Sequence, residues 1–360
     1  MTQNKNKVAI ISTSLGCGGA ERFASLLSFM LEKLNLEVHN IIISDVVDYK
    51  YGGTLMNLEI ESSNSSSFFK KIKKGFLLNT YLKENKINFI IDNRPRNNLI
   101  REIITNWIYG NRRKWFVVHS FNTVTYFPKP DFFSKFLYQK ADKVICVSQG
   151  IEEIVKQKFD LKNTVTIHNP YDFSKIEIEK ETPISGEYIM YFGRFDEKVK
   201  NFSLMLEAFY LSKIYLRGYK LLLMGDGPDL GTIQDNIKRL QLEYFVNIYP
   251  FNTNPFQYVR QAKFTILTSR YEGFPLSIVE SLALGTPVIS VDCDSGPREI
   301  IIDGVNGLLV PNNNPHGLAS AMKQLIDDTD LYDFCKINAV KSVEHLSLET
   351  ISKQWESILF

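Results

Sequence analysis

The chain has 360 residues, with 42 Lys+Arg against 40 Asp+Glu, 44% hydrophobic residues, 20 Gly and 13 Pro. These proportions are those of a globular protein and exclude a disordered chain, a collagen and a coiled coil. At about 100–200 residues per domain, the length predicts two domains, each able to bury its own core.

The net charge of +2 conceals an asymmetry: residues 1–170 carry 24 Lys+Arg and 15 Asp+Glu (+9), and residues 171–360 carry 18 and 25 (−7). The basic half suits an anionic surface such as membrane headgroups or nucleic acid, or a solvated face with no partner; charge alone does not choose. Cys17, Cys146, Cys293 and Cys335 are far apart with no C-x-x-C pair, which predicts a reducing compartment and neither disulfides nor a zinc site. The opening residues hold one short apolar run, and no stretch reaches the about 18 apolar residues of a membrane span. A cytoplasmic protein is expected.

In chain order, a β-branched run at 7–14 leads through a Gly-rich turn into a helical pattern at 20–34, a β-loop-α unit. Strands are predicted at 38–44, 87–92, 115–119, 143–147 and 164–168. They are apolar on both faces, which implies a mostly parallel sheet covered by helices. Residues 62–67 form a serine-rich loop. Residues 171–186 are polar, contain Pro183 and show neither period, so they read as a linker. The alternation restarts with strands at 188–192, 220–224, 246–249, 264–268 and 287–291. The fold class is therefore α/β, with two doubly wound Rossmann-like domains at 1–172 and 186–344. A final helix at 348–360 is expected to cross back to the first domain, and ligands to bind at the C-terminal ends of the strands.

Four loops carry the chemistry. Gly18 and Gly19 open the first helix, where backbone N–H groups can approach an anion; Glu21 stands where a nicotinamide fingerprint needs its third glycine. After the strand at 188–192, Gly193 and Arg194 precede Lys200 and Asn201, a candidate N-cap, which places two cations beside a helix start and suits a diphosphate. Gly225-Asp-Gly-Pro228 reads as turn chemistry. The strongest pattern is at 268–289, where Glu272 is followed by Gly273, Phe274, Pro275 and Leu276, and Glu280 lies eight residues after Glu272. Either these are two solvated glutamates, or one carboxylate grips sugar hydroxyls and the other a ribose.

With this segment the chain resembles the retaining glycosyltransferases of family 4, whose fold is GT-B. The resemblance rests on the E-x7-E pair and, in order, Gly18-Gly-Ala-Glu-Arg22, His119-Ser120, Ser148, Asn169-Pro170, Gly193-Arg194, Lys200-Asn201, Gly225-Asp-Gly227 and Gly296-Pro-Arg-Glu299 with Gly304 and Asn306-Gly307. Residues 45–115 match least. The resemblance implies two domains facing across a cleft and a nucleotide-sugar donor. Arg194 and Lys200 would clamp its diphosphate, with Glu280 on the ribose, Glu272 and the amides of Gly273–Leu276 on the sugar, His119 reaching that sugar, Gly18 and Gly19 lining the phosphates, and Gly193 among the donor-binding residues. It implies transfer of a hexose or N-acetylhexosamine with retention, by same-face attack in which the leaving phosphate accepts the proton. No cofactor and no metal are expected, Asp292-Cys-Asp294 being a loop, and no nucleic-acid partner.

Residues 254–258 and 295–299 look like bacterial enzymes that build surface polysaccharides from UDP-sugars, with a glycan or lipid-linked acceptor. The rival readings are a nucleotide-sugar 2-epimerase and a non-catalytic glycan- or membrane-binding subunit. Finally, residues 67–79 place Phe69, Ile72 and Phe76 on one helical stripe among Lys70, Lys71, Lys73 and Lys74. Either the stripe packs into the core with its lysines in water, or it is an interfacial helix on the inner face of an anionic membrane.

Overall fold

The computed structural model describes residues 6–16, 18–63, 67–175 and 184–360. Cys17, residues 64–66 of the serine loop and residues 176–183 of the expected linker lie outside the described residues. The chain divides into two compact units, Met1–Pro170 with Leu348–Phe360, and Tyr171–Ser347.

The first unit holds a seven-stranded sheet built from β1 (Lys7–Ser12), β2 (Glu37–Ile42), β3 (Thr54–Asn57), β4 (Phe89–Asp92), β5 (Arg113–Val118), β6 (Lys143–Cys146) and β7 (Thr164–Thr166), in the order β3-β2-β1-β4-β5-β6-β7. Every pairing is parallel. Val8 to Ile11 and Trp115 to Val118 are buried on both faces, as continuous apolar strands between helix layers must be. The helix Leu348–Leu359 closes this unit: Trp355 is buried against Trp115 and Phe23, with ring centroids at 5.7 and 6.0 Å. Arg113 donates to the carbonyls of Ile358 and Leu359.

The second unit has six parallel strands, β8 (Tyr188–Phe192), β9 (Lys220–Met224), β10 (Val246–Tyr249), β11 (Thr265–Leu267), β12 (Val288–Asp292) and β13 (Gly307–Pro311), ordered β10-β9-β8-β11-β12-β13. The sequence analysis anticipates eleven of these thirteen strands and omits β3 and β13. β3 is an edge strand of four residues, exposed or half-buried throughout, and so lacks the apolar signal. β13 sits at the opposite edge of its own sheet, shortly after the Gly304 turn. In each sheet the strand order reverses once, between β1 and β4 and between β8 and β11. Those are the crevices where open α/β sheets receive ligands.

The helix Ser67–Glu84 does not bury its apolar stripe. Phe69, Ile72 and Phe76 are exposed, whereas Lys70 and Lys74 both bind the carboxylate of Glu59, and Lys74 also donates to the carbonyl of Ile43. Cys146, Cys293 and Cys335 are buried free thiols. Among the described residues no helix is long and apolar enough to cross a membrane.

Candidate functional site

In the second unit, the loops leaving β8 and β11 converge at the reversal point. The short helix Glu197–Lys200 is capped by Asp196, whose carboxylate accepts from the Val199 amide at 3.2 Å. Asn201 follows at φ 54° and leads into the helix Phe202–Ser212. Asn201 makes no capping bond through its side chain; its Oδ1 accepts from Arg270 Nη2 at 2.8 Å. The first-turn amide of Ser203 is taken instead by the Glu197 carboxylate at 3.3 Å, an anion already seated at that helix start.

Three further bonds fasten the β11 loop to this turn. Thr268 Oγ1 donates to the carbonyls of Lys200 (2.8 Å) and Asn201 (3.1 Å), and the Arg270 amide donates to the carbonyl of Val199 (2.8 Å). Lys200 Nζ thereby reaches Glu272 Oε1 at 2.5 Å, and Ser269 Oγ donates to the same oxygen at 2.6 Å. The loop is held on its other side by the Glu272 amide donating to Asp294 O (3.2 Å) and by Ser295 Oγ donating to Gly273 O (3.1 Å). Gly273, Phe274 and Pro275 are buried and open the helix Leu276–Ala283, on which Glu280 is buried one turn further along. Tyr191, buried below, has its phenol pushed far up by burial and by the charges of Glu272 and Asp196.

Arg194 is exposed at the tip of the β8 loop, its carbonyl accepting from Tyr191 Oη at 2.9 Å. The Gly225–Pro228 turn positions that loop. A Cβ at Gly225 would lie 1.9 Å from Gly193 O, and one at Gly227 2.2 Å from Phe195 O, so only glycine allows this approach. Through it the Phe195 amide reaches Asp226 O at 2.8 Å, and the Glu197 amide reaches Asp229 Oδ2 at 2.8 Å. On the next loop the carboxylate of Asp292 is held bidentately by Arg298, at 2.8 and 2.6 Å.

In the first unit the reversal point brings together the Gly18–Gly19 turn, Asn93 and His119. Asn93 follows β4, and its amide donates to Ile11 O of β1 at 2.8 Å. Its Nδ2 donates to Ala20 O (2.8 Å), which turns Oδ1 toward His119 Nε2 at 2.5 Å. By this network the imidazole is assigned as the Nε2–H tautomer with its lone pair on Nδ1. Burial, together with the charge of Arg96, pushes the His119 pKa down to about 3, so the ring is neutral at physiological pH. Phe23 packs edge-on against it at 4.9 Å.

Arg96 is fully buried beneath this group. It donates to the carbonyls of Asp92 (3.0 Å), Arg94 (2.8 Å) and Val117 (2.8 Å), and its guanidinium lies over the rings of Phe116 and Tyr126 at 5.1 and 5.3 Å. Arg94 pairs with Asp92 at 2.9 and 2.5 Å; the arginines hold the Asp92 carboxyl below its ordinary value despite burial. Glu21 curls over the Gly18 turn, a Cβ there falling 2.1 Å from its Oε2, and burial raises its pKa. A carboxylate of the chain therefore stands where the sequence analysis expects an anion.

Of the residues singled out from sequence, Lys200 and Glu272 meet directly, Glu280 stands on the helix that Glu272's loop opens, and Arg194 is on the neighbouring loop. Asn93 and Arg96 escaped sequence reasoning. The cue available was the polar cluster Asp92-Asn-Arg-Pro-Arg96 at the end of a buried strand.

A family model described as glycosyl transferases group 1 matches residues 173–342. The N-acetylgalactosamine-N,N'-diacetylbacillosaminyl-diphospho-undecaprenol 4-alpha-N-acetylgalactosaminyltransferase of Campylobacter jejuni is 30% identical over 342 residues, covering 90% of this chain and 91% of that protein. The amylovoran biosynthesis glycosyltransferase AmsD of Erwinia amylovora is 24% identical, covering 95% and 96%. Among solved structures, Anabaena Alr3699/HepE in complex with UDP superposes with a TM-score of 0.78 at 19% identity, covering 98% of this chain and 99% of that one; this likeness shows the fold. The two doubly wound units are those of the GT-B fold.

Proposed function

The chain belongs to the glycosyl transferases group 1 family, and from that membership we propose that it moves a hexose or N-acetylhexosamine, with retention, from a UDP-linked donor to a hydroxyl of a glycan or lipid-linked acceptor. The product would be a bacterial polysaccharide or glycoconjugate. Support for the acceptor class comes from the relatives, one named for a diphospho-undecaprenol acceptor and one for amylovoran biosynthesis. Support for UDP comes from the solved relative that carries it.

The observation that carries the reading is the Lys200–Glu272 pair at the β8/β11 reversal, with Glu280 buried on the adjoining helix. Lys200 and Arg194 supply the positive charge for a diphosphate, so no metal is required, and Asp292 is committed to Arg298. Glu280 holds the ribose hydroxyls. Glu272, with the amides of Gly273, Phe274 and Leu276 and the turn at Pro275, holds the sugar. In the first unit, neutral His119 is held by Asn93 beside the Gly18–Gly19 turn.

In the reaction the bond between the anomeric carbon and the phosphate oxygen breaks as the acceptor oxygen bonds that carbon from the same face. The acceptor proton goes to the departing phosphate. Fixed cations lower the barrier because negative charge develops on that group. Release of nucleoside diphosphate that requires acceptor tests the assignment; interconversion of free donor without release would favour the 2-epimerase reading, and failure to turn over any donor would favour a non-catalytic subunit.

A further inference from the structure

The first unit carries an apolar face that takes in the stripe at 67–79 and extends beyond it. The helix Leu99–Tyr109 turns Ile100, Ile103, Ile104 and Trp107 outward, at i, i+3, i+4 and i+7, and buries Glu102 and Thr105. Ile108 and Tyr109 are buried on the same helix, so its apolar residues are divided between core and surface, unlike the single core-facing stripe of a soluble amphipathic helix. Ile100 is 71% exposed and Trp107 77%. The neighbouring helix Ser67–Glu84 likewise buries Leu78 and Leu82 but leaves Ile72 exposed and Phe76 67% exposed, with Lys70 and Lys74 folded onto Glu59. The two helices pack together: a Cβ at Gly75 would lie 3.6 Å from Ile108 Cδ1. A third helix, Asp131–Tyr138, adjoins the second through Asn106 Nδ2 donating to Leu137 O at 3.4 Å, and exposes Phe132 and Phe136. Scattered exposed apolar residues are ordinary, whereas such residues gathered on three adjoining helices mark an interaction surface.

The charges around this face are basic. Lys71 and Lys83 on the first helix and Lys129 and Lys140 beside the third are exposed, and Lys140 Nζ lies 4.9 Å over the Phe136 ring. Of the acids on or beside these helices, Glu59 is engaged by two lysines, Glu102 by burial, Asp160 by Lys135 and Asp131 by Lys158, while Glu84 is exposed at the end of the first helix. A second copy of the chain, meeting this face with its own, would bring basic rim against basic rim. An anionic bilayer satisfies both the apolar centre and the rim.

We propose that the helices Ser67–Glu84, Leu99–Tyr109 and Asp131–Tyr138 together form a docking surface for a bilayer with anionic headgroups, into whose acyl boundary Ile100 and Trp107 insert. The surface extends beyond residues 67–79, and its central helix lies in the stretch that least resembles the family. The inference stands apart from the transferase reading and is tested without a donor.

Trp107 is the exposed member of the three tryptophans; Trp115 and Trp355 are buried. Its fluorescence therefore reports insertion. With phosphatidylglycerol vesicles at low salt, the full chain should show a blue shift that is absent with phosphatidylcholine vesicles and lost in Trp107→Phe. An Ile100→Ser/Trp107→Ser variant should float with anionic vesicles at least tenfold less, with unchanged circular dichroism. An emission that does not move with anionic vesicles, or that moves equally with neutral ones, overturns the proposal. So does a dimer in sedimentation equilibrium that this double variant dissociates, since the face would then belong to a second copy.

Discussion

Lys200 Nζ and Glu272 Oε1 stand 2.5 Å apart although 72 residues separate them in the chain, and Ser269 binds the same carboxylate oxygen. Under the proposed function a donor diphosphate has to share Lys200 with this carboxylate. Glu272→Gln should therefore tighten binding of free UDP by roughly 3- to 10-fold, about 0.7–1.4 kcal/mol. Turnover of the intact sugar donor should fall in the same variant if, as proposed, the carboxylate holds the sugar. Titration calorimetry with UDP checks the first effect; weaker UDP binding would show that Glu272 and the diphosphate do not compete.

Arg194 and Glu280 should separate in kinetics. Arg194 is exposed on its loop, free to meet charge that develops during reaction, so Arg194→Ala should lower kcat by about 10²-fold or more. With Glu280 assigned by the proposal to the ribose, a part of the donor that does not change, Glu280→Ala should raise the donor KM with kcat little altered. Steady-state nucleotide release measures both. An Arg194→Ala enzyme within a few-fold of the parent would move the diphosphate clamp elsewhere, and an unaltered KM in Glu280→Ala would remove the ribose assignment.

His119 links the first unit's site to acid stability. Its folded pKa of about 3 lies below the unfolded value of 6.5, so between those values the unfolded chain binds a proton that the fold refuses. Stability falls with pH there, by up to about 1.4 kcal/mol per unit, and is unaffected by this group above 6.5. His119→Gln should thus lose less stability than the parent between pH 7.5 and 4.5, by roughly 2–3 kcal/mol. Urea unfolding at the two pH values decides it, and parallel losses in both proteins would mean that His119 is protonated in the fold.

Arg96 fixes the loops after β4 and β5 through three carbonyls, each needing the planar fork of a guanidinium. Arg96→Lys keeps the charge but cannot reach all three, and should destabilise the protein by about 2–4 kcal/mol. Arg101→Lys, on the exposed side of the neighbouring helix, serves as the control. A loss below about 0.5 kcal/mol in Arg96→Lys would show that the carbonyls find other donors.

The parallel sheets were legible because their strands are apolar on both faces; Val8 to Ile11 and Leu221 to Leu223 carry that signal without interruption. The second unit's candidate residues could be singled out because Gly193, Arg194, Lys200 and Glu272 sit in short loops or at helix ends whose chemistry is local, with Glu280 a turn into the helix that follows. What local pattern could not supply was pairing across the sheet. Lys200 meets Glu272 only because Thr268 and Arg270 bind the turn at 199–201. Asn93 matters only because the strand order places β4 between β1 and β5. The helix at 67–84 reads as amphipathic from sequence, but which face it buries was set by Glu59 drawing Lys70 and Lys74 inward.

The most direct test is transfer itself: the purified chain incubated with a panel of UDP- and GDP-sugars and undecaprenyl-diphosphate-linked glycans, with nucleoside diphosphate and glycosylated product both quantified and the new linkage examined by NMR. The account predicts UDP release equal to product formed, dependent on acceptor, with the anomeric configuration of the donor retained, and reduced at subsaturating donor in Glu280→Ala. Donor interconverted without diphosphate release, or a product of inverted configuration, would contradict it.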